Sequence, residues 1–280
     1  MAAQEDRMQA ALWNGTAGRG WIAAQPLLDA MYRPFESVLA DAATGRGNVS
    51  LLDIGCGTGG TTVALAEHLG PAGRCSGIDI SAPMIAAARL RAAKAGVNAD
   101  FIAADAGAYA FAPQSFDLLV SRFGVMFFAD PVRAFAHLYG AAKPGARLRF
   151  IAWREAEANP FLTAAERAAA PLLPALTVPP PGAPGPFGFA DRARIESVLA
   201  ASGWRDVEIA PIARECAFPE AGLDTYLSVM GPVGRVLQSA DAATHARILE
   251  KVRPGFAPFI RGGDVRFDAA CWLVDARRPR

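Results

Sequence analysis

One segment constrains the fold more than any other: Leu51-Leu52-Asp53-Ile54-Gly55-Cys56-Gly57-Thr58-Gly59-Gly60. An apolar run ends in a carboxylate, closely spaced glycines follow, and then residues that begin a helix. Glycine takes positive φ without steric cost and carries no Cβ to hold a ligand away. The helix start beyond it offers free backbone N–H groups to an anionic group. The chain continues the pattern that this segment opens. Val49 to Ile54 predicts a buried strand, and Thr61 to Leu69 a helix stopped by Gly70-Pro71. Cys75 to Ile80 predicts a second strand, and Ser81 caps a helix ending at Gly96. Further strands are expected over Asp100 to Ala103, Phe116 to Val120 and Arg147 to Trp153, with a helix over Pro131 to Tyr139. Such alternation implies an α/β, doubly wound, Rossmann-like fold: a mostly parallel sheet with helices on both faces. Ligands of such sheets bind beyond the carboxyl ends of the strands, so residues just after each strand matter most.

The flanks are less regular. Met1 to Ala43 reads as helical, with Trp13, Trp21, Met31, Tyr32 and Phe35 as its large apolar groups, and Gly45, Gly47 and Asn48 break it. Beyond Trp153, Pro171 to Pro186 is a stiff loop, Arg192 to Ala201 a helix and Val207 to Ile212 a sixth strand. Leu223 to Pro258 reads as short helices broken at Gly231-Pro232 and Pro254-Gly255, and Val265 to Ala276 as a last edge strand. The organisation expected is a single domain over 1–280. It comprises an N-terminal helical lid (1–45), a cofactor-binding core (46–153), a helical cover over the active site (154–264), and a last strand and tail (265–280).

Composition narrows the partners. Lysine plus arginine is 28 against 27 acidic residues, a net charge of +1, which gives no reason to expect nucleic acid. The chain is 52% hydrophobic, much of it alanine. Its longest uncharged run, Ala168 to Ala190, is broken by prolines and makes a poor membrane span. Met1 to Arg7 carries Glu5 and Asp6 and lacks the apolar core of a signal peptide. Cys56, Cys75, Cys216 and Cys271 are scattered without paired spacing, which points to reduced thiols in the cytoplasm and to no metal site.

Gly55, Gly57 and Gly60 also spell the dinucleotide fingerprint, and a tight strand-to-helix connection could account for the glycines alone. Asp53 argues against a dinucleotide: a carboxylate before the first glycine repels a pyrophosphate and attracts a ligand carrying an ammonium and a sulfonium. Asp79 ends the second strand, at about the 20-residue interval expected of a carboxylate that binds ribose hydroxyls. Asp105 follows the third strand, where a carboxylate can accept from an adenine amino group. Three carboxylates at three successive strand tips do not follow from a tight turn alone.

On these residues the chain resembles the class I S-adenosylmethionine-dependent methyltransferases, in the small-molecule group that includes the ubiquinone and menaquinone biosynthesis enzymes. The likeness is close over about residues 49–153 and loose elsewhere. It implies a seven-stranded sheet with an antiparallel last strand and S-adenosyl-L-methionine as cofactor. By the same likeness Gly55, Gly57 and Gly59 pass under the methionyl part, with Asp53 close by, and Asp79 holds the ribose. Ile80 and Met84 flank the adenine, and Asp105 and Ala106 meet its amino edge. Ser121, after the fourth strand, faces the methionyl amino group through its backbone oxygen, and Trp13 and Trp21 resemble aromatic lid residues. Met84 and both tryptophans also read as ordinary core packing.

Methyl transfer from a sulfonium is a direct displacement that needs no metal, and positioning carries much of its catalysis. Ser121-Arg122-Phe123-Gly124-Val125-Met126-Phe127-Phe128 is apolar for a cleft edge. Phe123, Met126 and Phe127 are candidate walls for an apolar or aromatic acceptor. Arg122 either binds an acceptor carboxylate or is a solvated strand-end charge. His68, His137 and His245, with Tyr32 and Tyr226, are the base candidates, and none is singled out. Enzymes that methylate amino groups of nucleic-acid bases place Asn/Asp-Pro-Pro-Tyr/Phe after the fourth strand. Here that place holds Ser-Arg-Phe-Gly, and Asn159-Pro160-Phe161 follows the fifth strand instead. A small-molecule acceptor is the expectation. The alternatives are a nicotinamide-dependent oxidoreductase and a non-catalytic S-adenosylmethionine-binding module.

Overall fold

Four helices precede the first strand in the computed structural model, which describes residues 2–44, 48–174, 176 and 179–280. They are α1 (Ala2–Asn14), α2 (Thr16–Ala23), α3 (Gln25–Tyr32) and α4 (Glu36–Ala40). The expected break at Gly45 and Gly47 lies outside the described residues, as do Ala175, Thr177 and Val178 of the proline-rich loop. Then come β1 (Ser50–Ile54), α5 (Gly60–Leu69), β2 (Arg74–Asp79), α6 (Ala82–Ala95), β3 (Ala99–Ala103), β4 (Phe116–Arg122), α7 (Pro131–Ala141) and β5 (Ala142–Trp153). Ser81 caps α6 by accepting from the Met84 N–H, and Gly96 ends it at φ +68°. Asp130 caps α7 in the same way, accepting from the Arg133 N–H.

The second half holds α8 (Ala164–Ala169), α9 (Arg192–Ala201), β6 (Arg205–Pro219), α10 (Leu223–Val229), α11 (Gly231–Leu237), α12 (Ala242–Val252), β7 (Ile260–Arg261) and β8 (Asp264–Arg277). Gly231-Pro232, read as a helix break, also starts α11, since proline is favoured in a first helical turn where no N–H is needed.

The sheet runs β3-β2-β1-β4-β5-β8-β6, with β7 paired to β8 off this path. β1 to β5 are parallel, and β8 is antiparallel to both β5 and β6. The antiparallel last strand is therefore present, and two features differ from expectation. The short β7 makes the sheet eight-stranded. β8 is not an edge strand, because it inserts between β5 and β6. Its alternation of buried and half-buried residues looks the same in sequence whether one neighbour or two complete its hydrogen bonds. β6 also extends well past Ile212, to Pro219. It is the sheet's edge, where Pro211 is tolerated.

Leu51, Leu52, Ile54, Ile78, Leu118, Leu119, Leu148, Phe150 and Ile151 fill the core. Beside it Asp275 of β8 pairs with Arg147 at 2.6 Å and with Arg149 at 2.8 Å, and Arg149 donates to the Val38 carbonyl at 3.0 Å, tying α4, β5 and β8 together. Burial alone would raise the Asp275 pKa, but hydrogen bonds from Arg149 and Arg147 bring it below the usual carboxylate value. Among the described residues no helix is long and apolar enough to cross a membrane, and no group of three metal-ligating side chains is present.

Candidate active site

The tips of β1 and β2 are joined through the glycine turn. Gly55, Gly57 and Gly59 have φ of +67°, +58° and +80°, a region that glycine alone enters freely. The N–H groups of Gly55 and Cys56 donate to the Ile78 carbonyl at 2.9 and 3.1 Å. A Cβ on Gly55 would stand 2.8 Å from Gly124 Cα, so these two glycines let the segments just past β1 and β4 approach closely. On Gly57 it would meet the Met84 methyl at 3.0 Å and the Trp21 ring nitrogen at 3.8 Å. Gly59 is compact for another reason, since its Cβ would strike Ala88 at 2.9 Å, where α6 packs.

Asp79 clamps this turn. Its Oδ2 accepts from the Gly57 N–H and its Oδ1 from the Ser81 N–H, both at 2.9 Å. A carboxylate offers about four lone-pair sites, so each oxygen keeps one for a ligand hydroxyl. Burial raises the Asp79 pKa, and the two backbone donors lower it, with a net rise. Asp105, past the tip of β3, accepts from the Gly107 N–H at 2.8 Å through Oδ1, beside buried Ala106.

The side chains of Asp53 and Ser121 are engaged within the protein. Asp53 lies under the turn, 1% exposed, and accepts from the Thr62 hydroxyl at 2.7 Å. Burial pushes its pKa to about 7, against lowering by the Thr62 hydrogen bond and the charge of Arg122. Ser121 lies inside β4, not after it; its hydroxyl donates to the Ile54 carbonyl at 2.7 Å and accepts from the Gly124 N–H at 3.2 Å. Burial also keeps the Cys56 thiol protonated, well above its usual pKa.

The N-terminal helices close over these tips. Trp13 and Trp21 pack edge to face at 6.2 Å, and Trp13 meets Phe127 at 5.2 Å. The Ser81 hydroxyl donates to the Trp13 carbonyl at 2.7 Å. Asn14, not singled out from sequence, donates to the Ile80 carbonyl and accepts from the Ala82 N–H, both at 3.0 Å. Its signal was the Asn14-Gly15 dipeptide, a turn mark between two helical runs.

On the acceptor side Phe123 adopts φ +62° and stacks on Trp153 at 4.3 Å. A left-handed, buried phenylalanine costs conformational energy, and such residues cluster where function requires them. Phe35 and Tyr32 lie 5.2 and 5.4 Å from its ring. Met126 belongs to the core, where its sulfur accepts the Trp153 N–H. Arg122 is not a solvated strand-end charge. Its side chain is 12% exposed, lies over the Tyr32 ring at 5.6 Å and sits 4.0 Å from Glu36. His68 is exposed at the far end of α5, and His137 contacts the Tyr109 carbonyl. Two shallow surface depressions, one beside Arg74 and Asn98 and one along α6, lie away from these side chains.

The residues present fit S-adenosylmethionine. The turn has a cradle at Gly57 that a Cβ would narrow, Asp79 retains two acceptor sites for a ribose, and Asp105 retains an oxygen for an amino group. Residues 51–145 match the family model described as a methyltransferase domain. The chain is 34% identical over 118 residues to nocamycin O-methyltransferase of Saccharothrix syringae, covering 42% of each protein. It is 36% identical over 108 residues to demethylmenaquinone methyltransferase of Thermus thermophilus, covering 39% of this chain and 49% of that one. The chain thus spans about half the length of the curated relatives it matches. In fold it resembles the YcgJ protein of Bacillus subtilis, with a TM-score of 0.59 at 16% identity over 89% of this chain and 99% of that one. These likenesses favour neither the nicotinamide enzyme nor the non-catalytic module. Over residues 51–145 the chain matches a methyltransferase domain and is similar to class I S-adenosylmethionine-dependent methyltransferases.

Proposed function

We propose that the protein transfers a methyl group from S-adenosylmethionine to a small molecule whose reacting part is apolar or aromatic. The observation that carries this reading is Asp79, bracketed by the Gly57 and Ser81 N–H groups at the mouth of a positive-φ glycine turn. When bound, the cofactor supplies a methyl group made electrophilic by positive sulfur. Asp79 would hold the ribose hydroxyls, Met84 and Ile80 the adenine faces, and Asp105 with Ala106 its amino edge. Asp53 contributes negative potential beneath the turn. Residues 1–45 serve as the lid, with Trp13 and Trp21 excluding water. The wall formed by Phe123, Trp153 and Phe127 supports an apolar acceptor, held so that displacement needs little further ordering.

Thermal-shift titration with S-adenosylmethionine and S-adenosylhomocysteine, with NAD as control, tests this. A ligand of the folded state raises Tm in a dose-dependent way. Shifts with the first two alone are expected. Asp79→Ala removes an acceptor for up to two hydroxyls, each worth roughly 0.5–3 kcal/mol. Affinity should fall at least about tenfold with the fold intact. A folded variant with an unchanged Kd would remove Asp79 from the ribose site.

A further inference from the structure

Two arginines are buried to nearly the same degree, and only one is satisfied by the protein. The side chains of Arg149 and Arg122 are 11% and 12% exposed. Arg149 donates from Nε and Nη2, side by side, to the Asp275 carboxylate at 3.0 and 2.8 Å, and from Nη1 to the Val38 carbonyl at 3.0 Å. Arg122 repeats one half of this arrangement. Its Nη1 donates to the Tyr32 carbonyl at 3.4 Å. Among the described residues its Nε and Nη2 have no hydrogen-bond partner, and neither is sealed from solvent. The one carboxylate that pairs with it there, Glu36, stands 4.0 Å from Nη1, outside hydrogen-bond reach.

Nε and Nη2 form an edge of the guanidinium that meets a carboxylate with two parallel hydrogen bonds. A largely buried cation without such a partner is costly. At Arg149 the chain supplies the partner from β8, and at Arg122 no described side chain does. The surroundings of Arg122 suit a ligand with an apolar body. Its guanidinium lies over the Tyr32 ring, 5.6 Å from the ring centre. Around the same ring stand Phe123 at 5.4 Å and Trp153 at 6.1 Å, both of the acceptor wall. Trp21 stands 6.4 Å from it, and the Trp21 ring nitrogen faces Gly57. Phe123 follows Arg122 directly and holds φ +62°, so consecutive residues at the tip of β4 set the fork and the wall.

We infer that Arg122 determines acceptor specificity, and that the acceptor carries a carboxylate which Nε and Nη2 receive as a bidentate pair. This rests on the methyl-transfer reading above. The apolar body of the acceptor lies along Phe123 and Trp153, and the carboxylate fixes its orientation toward the cofactor.

The test uses the full chain saturated with S-adenosylhomocysteine and compares 2-naphthoate with its neutral isostere 2-naphthamide by isothermal titration. The wild type should bind the carboxylate at least about tenfold more tightly than the amide, as a charge-assisted pair of hydrogen bonds requires. Arg122→Gln should abolish this preference by weakening the carboxylate alone. Arg122→Lys keeps the charge but lacks the fork, and should recover only part of it. A structural role for Arg122 would weaken both probes alike. Both variants should keep wild-type affinity for S-adenosylhomocysteine, which shows that they fold. If either fails to fold, the wild-type preference between the two probes still decides. Equal affinity of the wild type for both probes, or binding of neither to a wild type that binds S-adenosylhomocysteine, would overturn the inference. So would a preference that survives in a folded Arg122→Gln variant. A loss of S-adenosylhomocysteine affinity in that variant, with 5′-methylthioadenosine affinity kept, would give the guanidinium to the carboxylate of the cofactor instead. Failure of S-adenosylhomocysteine to bind the wild type, read in a separate arm, would remove the methyl-transfer reading, whereas a carboxylate preference that depends on Arg122 would stand without it.

Discussion

In residues 49–153 the carboxylates at the strand tips are already held: Asp79 by the Gly57 and Ser81 N–H groups, Asp105 by Gly107, and Asp53 by the Thr62 hydroxyl. In residues 154–264 a few buried polar groups lack partners. Glu166 Oε2 and Arg154 Nε are buried without partners, and the Tyr226 hydroxyl has none among the described residues. The first region is built from backbone geometry, which few sequences satisfy and which recurs between proteins. The second depends on side chains projecting from short helices, which a change of substrate can rewrite. The family match follows this division, since it spans residues 51–145 and stops before residue 154.

If the sheet half is the rigid frame, its most vulnerable joint is Arg149 with Asp275. Asp275→Ala would leave a guanidinium that is 11% exposed without its counter-charge. Breaking a buried pair in this way costs about 3–5 kcal/mol. The urea midpoint should fall accordingly with the slope unchanged. A loss under about 1 kcal/mol, the range of surface pairs, would mean that water reaches Arg149, and the contrast between a preset frame and an open cover would weaken.

The same contrast explains what sequence could reveal. The strand–glycine–helix segment, Asp79 and Asp105 were legible because their spacing follows from βαβ geometry. Trp13, Trp21 and Met84 were singled out only through resemblance; Met84 and Trp21 lie beside Gly57, and Trp13 packs against Trp21. β8 between two strands was illegible, because partner number leaves no mark on a half-buried alternation. Ser121 was misplaced by one element boundary: β4 continues two residues past its apolar run, to Arg122. The burial of Arg122 against Tyr32 and Glu36 and the unpartnered state of Glu166 depend on the tertiary fold, and no local pattern encodes them.

Asp53 gives the next test. Its folded pKa of about 7 stands above its ordinary value. The folded state therefore binds more protons than the unfolded state between about pH 4 and 7. Stability from this group is present below that window and is lost as pH rises through it, by about 4 kcal/mol at most. Asp79, Glu36 and Glu166 are shifted in the same direction, and Asp275 in the opposite one. Asp53→Asn keeps an acceptor for Thr62 and should flatten the decline without abolishing it, as read by Tm from pH 4 to 8. The variant should also lose more affinity for S-adenosylmethionine than for S-adenosylhomocysteine, since only the former carries positive sulfur. Equal losses would show that Asp53 supports the turn without attracting the sulfonium.

The smallest expected effect concerns the boundary between the two regions, where α1 and α2 touch both. Asn14 fastens these helices to the β2–α6 turn by two hydrogen bonds, and Gly20 of α2 lies close against the Val229 carbonyl of the cover. Asn14→Ala removes both fastenings, each worth about 0.5–1.5 kcal/mol, while the Ser81 hydroxyl still holds the Trp13 carbonyl. If the helices gate the cofactor site, the loss falls on the closed state. S-adenosylhomocysteine should then dissociate about tenfold faster with little change in association, as read by stopped-flow tryptophan fluorescence from Trp13 and Trp21. An unchanged dissociation rate in a folded variant would mean that these helices are part of the frame, and the line between preset and adaptable structure would then lie at the cover alone.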